Sequence, residues 1–445
     1  MKKLLAVITV IVLLGIIAVP YINGLIMEKT LKDFFAEANS LSSQTGSNYT
    51  LEILNYHRSI FSSDIDWRLD LSSLKNVYGI DEIIFSDHAR HGYTGVVSTT
   101  RLDKNPWFTS FIEEKLGGEN PFNIQTAYSF FGDITSRVDM AAFTTMAEQQ
   151  EISVGEGQFI IETDDHLQDF SASASWLGLD AGEQASVADV SMETEMSQVS
   201  SFLWDGSIAF SVGTLRAAPP QGQLVVNNGR LTYSLETDMA DDLADTEAAF
   251  SVDSIVSAGK TIDGARGALA VHNMSASGYE NLLRSYTRMT AEIVDNIQTL
   301  EDPSADAGTV LQEKMGELTF QLIAALEKLL RKDLEIHLSD ILVRTEEGDI
   351  SGDIRLHLLK DMTLMQFAPI VGQPALALDI FSLESSARLP EVLVDDPSLL
   401  LTPLHPGMKT GLFISENGSL THSAETREKE LYLNGHQVEL GAGTR

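Results

Sequence analysis

His88-Ala89-Arg90-His91, with Asp81, Glu82 and Asp87 close by in the chain, has the residue types of a zinc site, because imidazole nitrogen and carboxylate oxygen both suit that ion. On a helix the two histidines would share a face. The flanking pattern is strand and turn, however, and no third ligand stands at a recognisable spacing, so no metal is expected and His88 and His91 are weak candidates. Ser72-Ser73-Leu74-Lys75 matches a bare S-x-x-K without the companion motifs of penicillin-recognising enzymes. A G-x-S-x-G elbow is absent, and so are the glycine-rich loops that cradle phosphate. Neither a catalytic residue, a nucleotide nor another cofactor is expected. The chain has no cysteine, which removes disulfides, thiolate metal sites and Cys nucleophiles together. Asp164-Asp165-His166 reads as a solvated hairpin tip, and paired carboxylates are too abundant here to single out an acid–base couple.

The segment 55–63, Asn-Tyr-His-Arg-Ser-Ile-Phe-Ser-Ser, is different in kind. It sets Tyr56, His57, Arg58 and Phe61 between two strand patterns where a plain turn needs only Gly, Asn or Asp. Two roles suit these residues. Tyr56 and Phe61 can plug the sheet end nearest the membrane while Arg58 pairs with one of the many carboxylates or caps backbone carbonyls. Alternatively Arg58 and His57 form a site for an anionic headgroup or a peptide carboxylate.

Positioning such residues requires regular elements on both sides. Residues 4–27 carry no charge, and the run through Ile22 is long enough to cross a hydrocarbon layer that needs about 20 helical residues. It exceeds the usual apolar core of a cleaved signal peptide and lacks a small-x-small cleavage site, so residues 4–22 are expected to be an uncleaved transmembrane anchor. Tyr21 falls at the outer interface and Pro20 can end or kink the helix there. Lys2 and Lys3 precede the run, which puts residues 1–3 in the cytoplasm and the body, 42–445, on the far side. Residues 23–41, with Leu31, Phe34, Phe35 and Ala38 at helical spacing, make a juxtamembrane helix, a stalk or a docking element.

Beyond that helix the period becomes two. Ile65, Trp67, Leu69 and Leu71 alternate with Asp64, Asp66, Arg68 and Asp70, which gives a strand one dry and one wet face. Similar strands are expected at 82–85, 95–101, 123–131, 158–162, 207–215, 252–256 and 267–273. The Asn-Gly steps at 228–229 and 434–435 signal tight hairpin turns. Leu334, Ile336, Leu338 and Ile341 lead into a turn near Glu346-Glu347-Gly348, after which alternation continues. Residues 177–198, acidic and rich in Ser and Ala, suggest a mobile loop. From 276 to 332 the spacing turns helical twice: Tyr279, Leu282, Tyr286, Met289 and Ile293 form one stripe, and Leu311, Met315, Leu318, Leu322 and Leu326 another, with Pro303 and Gly308 between. That is an αα-hairpin, either covering an open sheet face or acting as a lid or subunit contact. The uncharged stretch 362–378 is broken by Pro369, Gly372 and Pro374 and reads as a buried or partly buried connection. The fold class is therefore mostly β (α+β): an extended antiparallel sheet with an amphipathic αα-hairpin insertion and one N-terminal transmembrane helix.

Sixty-four acidic against 30 basic residues leave a formal charge of −34. That excludes nucleic acid as a main ligand, since counterion release needs a basic face.

The segment 56–63 resembles the Y-x-R-G-x-F-S-S signature of the YdgA-like family of bacterial membrane-anchored proteins, a domain of unknown function, with Ser59 in place of the common glycine. The likeness continues through His91-Gly92, where Tyr93 replaces a proline, the strand start at Pro121-Phe122, the helical hairpin and the closing strand pair around the Leu-Asn-Gly turn at 433–435. The resemblance implies a bacterial inner-membrane protein with a large periplasmic domain, 42–445, and no assigned activity. The function expected is a non-enzymatic envelope module whose partners are the membrane through the N-terminal helix, a lipid or envelope protein, and a second copy of the chain. A metal- or Ser-dependent periplasmic hydrolase is the alternative.

Overall fold

The computed structural model describes residues 2–47, 49–72, 75, 79–147, 150–218, 222–257, 260–299, 321–366, 369–370, 373–395 and 411–440, with side chains described from residue 18 and, in the helix ending at Thr299, up to residue 290. The chain divides into two compact units. One holds Met1–Gly182, Asp189–Trp204 and Thr287–Leu311, the other Glu183–Ala188, Asp205–Tyr286 and Gln312–Arg445.

The first unit begins with a single helix, α1 (Lys2–Thr45), in which the apolar run and the expected juxtamembrane helix are one continuous element with Pro20 inside it. Among residues with described side chains no helix is long and apolar enough to cross a membrane; residues 4–17 of the expected span lie outside that set. The strands β1 (Thr50–Arg58), β2 (Ser62–Asp70), β3 (Glu82–His91), β4 (Gly95–Arg101), β5 (Phe122–Ser129), β6 (Ile134–Met140), β7 (Phe143–Ala147), β8 (Gln150–Val154), β9 (Gly157–Thr163), β10 (Asp169–Asp180) and β11 (Ala185–Gln198) follow, with a short helix α2 (Pro106–Lys115) between β4 and β5. The order β1-β2-β3-β4-β5-β6-β9-β10 is antiparallel throughout. Strand β11 occupies most of 177–198, so the expected mobile loop is a paired element. Its Ser, Thr and Val suit a pleated strand as well as its acidity suits a loop.

Helix α1 supplies three of the eight buried side chains of this unit's core cluster. Met27, Leu31 and Phe35, one turn apart, pack on Ile65, Ala89, Val96, Tyr128 and Ile134. Each such side chain contributes roughly 1.5–3 kcal/mol on burial, so the contact holds the helix firmly. Farther along, the Asn39 amide donates to Leu51 O and accepts from Leu51 N, and Ser42 Oγ donates to Tyr49 O. Those bonds occupy the outer edge of β1, which would otherwise be open to pairing. The expected docking helix is thus a structural layer of the sheet.

The second unit contains β12 (Trp204–Ala217), β13 (Leu224–Asp238), β14 (Leu243–Val252), β15 (Ser254–Ser257) and β16 (Lys260–Ser275), then α3 (Ala276–Thr299), which belongs to this unit as far as Tyr286, then β17 (Glu335–Thr345), β18 (Gly348–Leu358), β19 (Phe381–Pro390), β20 (Ile414–Glu416), β21 (Ser419–Arg427), β22 (Glu430–Leu433) and β23 (His436–Val438). The antiparallel ladder runs β12-β13-β14-β16-β17-β18-β19-β21-β22-β23. The Asn434-Gly435 turn forms as expected, with positive φ at both residues and Leu433 facing His436. The turn expected at Asn228-Gly229 does not. Strand β13 runs straight through it, Asn228 takes φ 51°, and its amide donates to Asp253 where β14 gives way to β15. A left-handed Asn suits this interruption of the ladder as well as it suits a hairpin. Of the expected αα-hairpin, α3 and a helical stretch at 321–327 are present, while 300–320 lie outside the described residues.

Candidate functional site

The residues singled out at the end of β1 belong to a polar joint where α1 crosses the sheet. Because β1 carries a bulge between Ile53 and Asn55, Tyr56 and Arg58 fall on the face that α1 covers, opposite Ile65 and Ser63. Arg58 Nη1 donates to Glu28 Oε2 at 2.6 Å, and its guanidinium lies 5.1 Å from the centre of the Tyr21 ring. His57, the next residue along the strand, points to the opposite face and is exposed, so Arg58 and His57 do not form one anion site. Phe61 is 53% exposed and plugs nothing, whereas Tyr56 packs against the core under α1.

Behind Arg58 lies a proton-ordered chain. The Tyr56 hydroxyl donates to Ser63 Oγ at 3.3 Å, Ser63 Oγ lies 2.9 Å from His91 Nε2, and His91 Nδ1 lies 3.0 Å from Ile60 O. A carbonyl only accepts, so Nδ1 carries the proton and Nε2 accepts from Ser63. Burial lowers the His91 pKa, against the pull of the Ile60 carbonyl, and keeps the ring neutral. This is the bonding order of a serine nucleophile with its base. Ser63 is fully buried, however, and Gly24 of α1 lies so close over the imidazole that a Cβ there would collide with the ring. Asn23, beside it, donates to Gly92 O at 2.7 Å, while its Oδ1 and the Ser98 hydroxyl are buried without a protein partner among the described residues. The arrangement fastens a helix to a sheet and leaves no room for a substrate.

One strand pair further in, Asp87 accepts from Trp67 Nε1 at 2.8 Å and from Thr100 Oγ1 at 2.5 Å. Burial pushes its carboxyl above the usual carboxylate range, against both of those bonds. Trp67 stacks on Phe85 with ring centres 3.9 Å apart and meets Phe35 of α1 edge-on.

His88 and His91 lie three apart on a strand, which sends them to opposite faces. His88 pairs with Asp64 in the open at 2.7 Å, and among the described residues no three His, Asp or Glu side chains converge on a metal position. Asp164-Asp165-His166 does sit at a hairpin tip, between β9 and β10. Asn23, Gly24 and Glu28 escape a reading by motif, and Ser63 and Asp87, which lie in segments singled out by type, are given no partner by it. The one signal that could have found the first three is the appearance of Asn, Gly and Glu within eight residues of an otherwise apolar helical run.

The second unit offers a surface instead of a joint. Opposite residues in a ladder share a face, so the registers line up Ile208, Tyr233, Ala248, Leu269, Leu338 and Ile354 in one row across six strands. Phe210, Leu231 and Phe250 form the row on one side of it, and Leu235, Val271, Ile336 and Leu356 the row on the other. Leu231 and Phe250 are each 52% exposed, and Ile208, Phe210, Leu269, Ile336 and Ile354 are also open. Tyr279, near the start of α3, reaches this face and places its hydroxyl 3.4 Å from that of Tyr233.

Fold and joint together describe a mostly β protein of antiparallel sheet whose N-terminal helix packs on the strands that follow it. The chain belongs to the family described as bacterial protein of unknown function (DUF945), whose model matches residues 1–441. It is similar to Protein YdgA of Escherichia coli (strain K12), with 20% identity over 422 residues that cover 88% of this chain and 82% of that protein. No solved structure matches the chain. The likeness read from Tyr56, Arg58, Phe61, Ser62 and Ser63 is therefore a family relationship, and it brings no activity with it.

Proposed function

We propose that this protein is a non-enzymatic module of the bacterial envelope, anchored in the inner membrane by residues 4–22 with its body on the periplasmic side, that holds the acyl chain of a lipid along the open face of its second unit. The observation that carries this reading is the block of apolar rows around Leu269. Open apolar surface running over six strands is far more than scattered exposed side chains, and surfaces of that kind serve binding. A row of aliphatic and aromatic groups with no charge suits an extended hydrocarbon chain, which needs contact area and no hydrogen bonds. The helical insertion at 276–332 belongs to the same reading as an αα-hairpin rooted beside this face. Gly278 lies against the carbonyl of Lys328, and Asp242 joins Ser275, the Ser277 N–H and Arg331 at its base.

The hydrolase alternative draws no support from His88 and His91, which face apart, nor from Ser63, which is sealed under Gly24. The test is native mass spectrometry of the full chain extracted in mild detergent. Bound lipid is expected, and a Leu269→Glu, Phe250→Glu double variant should lose it. A lipid-free wild-type chain that also fails to take up a fluorescent acyl probe would overturn the proposal.

A further inference from the structure

Four hairpin turns of the first unit lie at one end of its sheet. The closing pairs Arg58 with Ser63, His91 with Val96, Tyr128 with Ile134 and Thr163 with Phe170 are linked strand by strand, so the turns at 59–61, 92–94, 130–133 and 164–168 project side by side. Helix α1 leaves the body at this same end. Its residues 42, 39, 28 and 23 meet Tyr49, Leu51, Arg58 and Gly92 in turn, which fixes its direction toward the turns. Pro20 is still fully buried, whereas Val19, Tyr21 and Ile22 are open.

Three of the four turns carry large apolar side chains at their tips, in a chain of formal charge −34. Ile60 and Phe61 stand on the first, Tyr93 on the second and Phe130 with Phe131 on the third; Phe131 is 89% exposed. A β-turn needs none of these residues for its own conformation. Aromatic rings at the level where an apolar helix ends are the side chains that a bilayer interface accepts, with the ring in the headgroup region and the polar backbone in water. Asp133, Asp164 and Asp165 share this end of the sheet, and they rule out attraction to anionic lipid as the driving force.

We infer that Phe61, Tyr93 and Phe131 form a collar that seats the body directly on a zwitterionic bilayer surface around the exit point of α1, with no free stalk between anchor and sheet. The inference rests on the anchoring reading above and adds where the body sits. The helix cannot act as a flexible tether, because Asn23, Gly24 and Met27 are fixed to the sheet within one or two turns of the apolar run.

The absence of cysteine makes the test direct. Single cysteines at Ile60 and Phe130 leave Phe61, Tyr93 and Phe131 in place. Leu13→Cys reports on the anchor, and Glu114→Cys, on α2, is the aqueous reference. Each full-length variant is labelled with an environment-sensitive fluorophore in phosphatidylcholine nanodiscs and quenched by lipids spin-labelled at the headgroup or deep in the acyl chain. Headgroup-level quenching at Ile60 and Phe130, deep quenching at Leu13 and none at Glu114 are expected. If Leu13 is quenched and Ile60 and Phe130 behave like Glu114, the collar is overturned while the anchor stands. If Leu13 escapes quenching, the anchor itself fails and takes the collar with it. Protection of Ile60 and Phe130 from aqueous iodide without quenching by lipid would assign the tips to a protein partner and overturn the inference.

Discussion

Arg58 and Glu28 meet at 2.6 Å across thirty residues of chain, and the pair ties the end of β1 to the helix that precedes it. Both side chains are about three-quarters covered, so the pair is neither a free surface bridge nor a dry one. Breaking it by Arg58→Ala should cost about 1–3 kcal/mol, between the values for exposed and buried ion pairs. Arg58→Lys keeps the charge but gives up the guanidinium's contact with the Tyr21 ring, so its loss should be the smaller. Chemical denaturation of the two variants checks this. Equal stability of Arg58→Ala and wild type would show that the joint does not depend on the pair.

Gly24→Ala sets two effects against each other. Alanine in a helix interior gains about 1 kcal/mol over glycine from propensity alone. Here the added methyl meets the His91 ring, which is held at both nitrogens and is only 5% exposed. Overpacking of a fixed side chain costs roughly 1–3 kcal/mol, and displacing His91 also breaks its bonds to Ser63 and Ile60. Net destabilisation is therefore expected, with α1 loosened first and amide exchange rising around Asn23 and Met27. A more stable Gly24→Ala variant would contradict the tight approach of α1 to β3.

How much of this was open to inspection of the chain depends on the residue. The slip of phase between Leu338 and Ile341 marks a real bulge, since Leu338 faces Ile354 while Ile341 faces Gly352 and Asp340 turns to φ 56°. Alternation locates strands well because half-buried faces enforce it. The joint was half legible: segment 55–63 stands out by type, but its partners Asn23, Gly24 and Glu28 lie some thirty residues earlier, and only the docking of α1 brings them there. For His88 and His91 the strand pattern around them decides the faces, which spacing alone does not. The open face around Leu269 was legible strand by strand but not as one surface, because the order of strands in the ladder decides which rows adjoin.

Two buried groups give the first unit opposing responses to pH. The His91 pKa is lowered on folding, so the unfolded chain takes up the proton first. The stability it contributes is present above its ordinary value near 6.5 and is lost as pH falls toward the depressed one. Asp87 has a raised pKa, so its unfolded form releases the proton first; folding is favoured at low pH and loses that advantage as pH rises from about 4 to the elevated value. Asp87→Asn removes the second slope only. An amide can still accept from Trp67 and donate to the Thr100 oxygen, so this variant should match or exceed wild type at neutral pH and fall away more steeply in acid. Denaturation curves for both proteins across that range supply the check, and an unchanged difference between them would refute the assignment.

The open face of the second unit separates binding from stability. Leu269 lies in the middle row with Ala248 and Leu338 as its cross-strand neighbours, and it is 44% exposed. Replacement by Glu removes little buried area, so it should change stability by no more than about 0.5–1 kcal/mol, the range of surface substitutions and cross-strand pairs. The same change puts a carboxylate in the path of any hydrocarbon laid along the rows, and desolvating that charge opposes binding strongly. Acyl-probe affinity should therefore fall by an order of magnitude or more while the unfolding midpoint stays nearly constant. Leu235, in the adjoining row but buried, is the contrast. Leu235→Ala should destabilise by about 2–5 kcal/mol as a cavity in a packed region, and it leaves the exposed rows intact. If Leu269→Glu unfolds the protein as readily as Leu235→Ala does, this face is interior packing and not a binding surface.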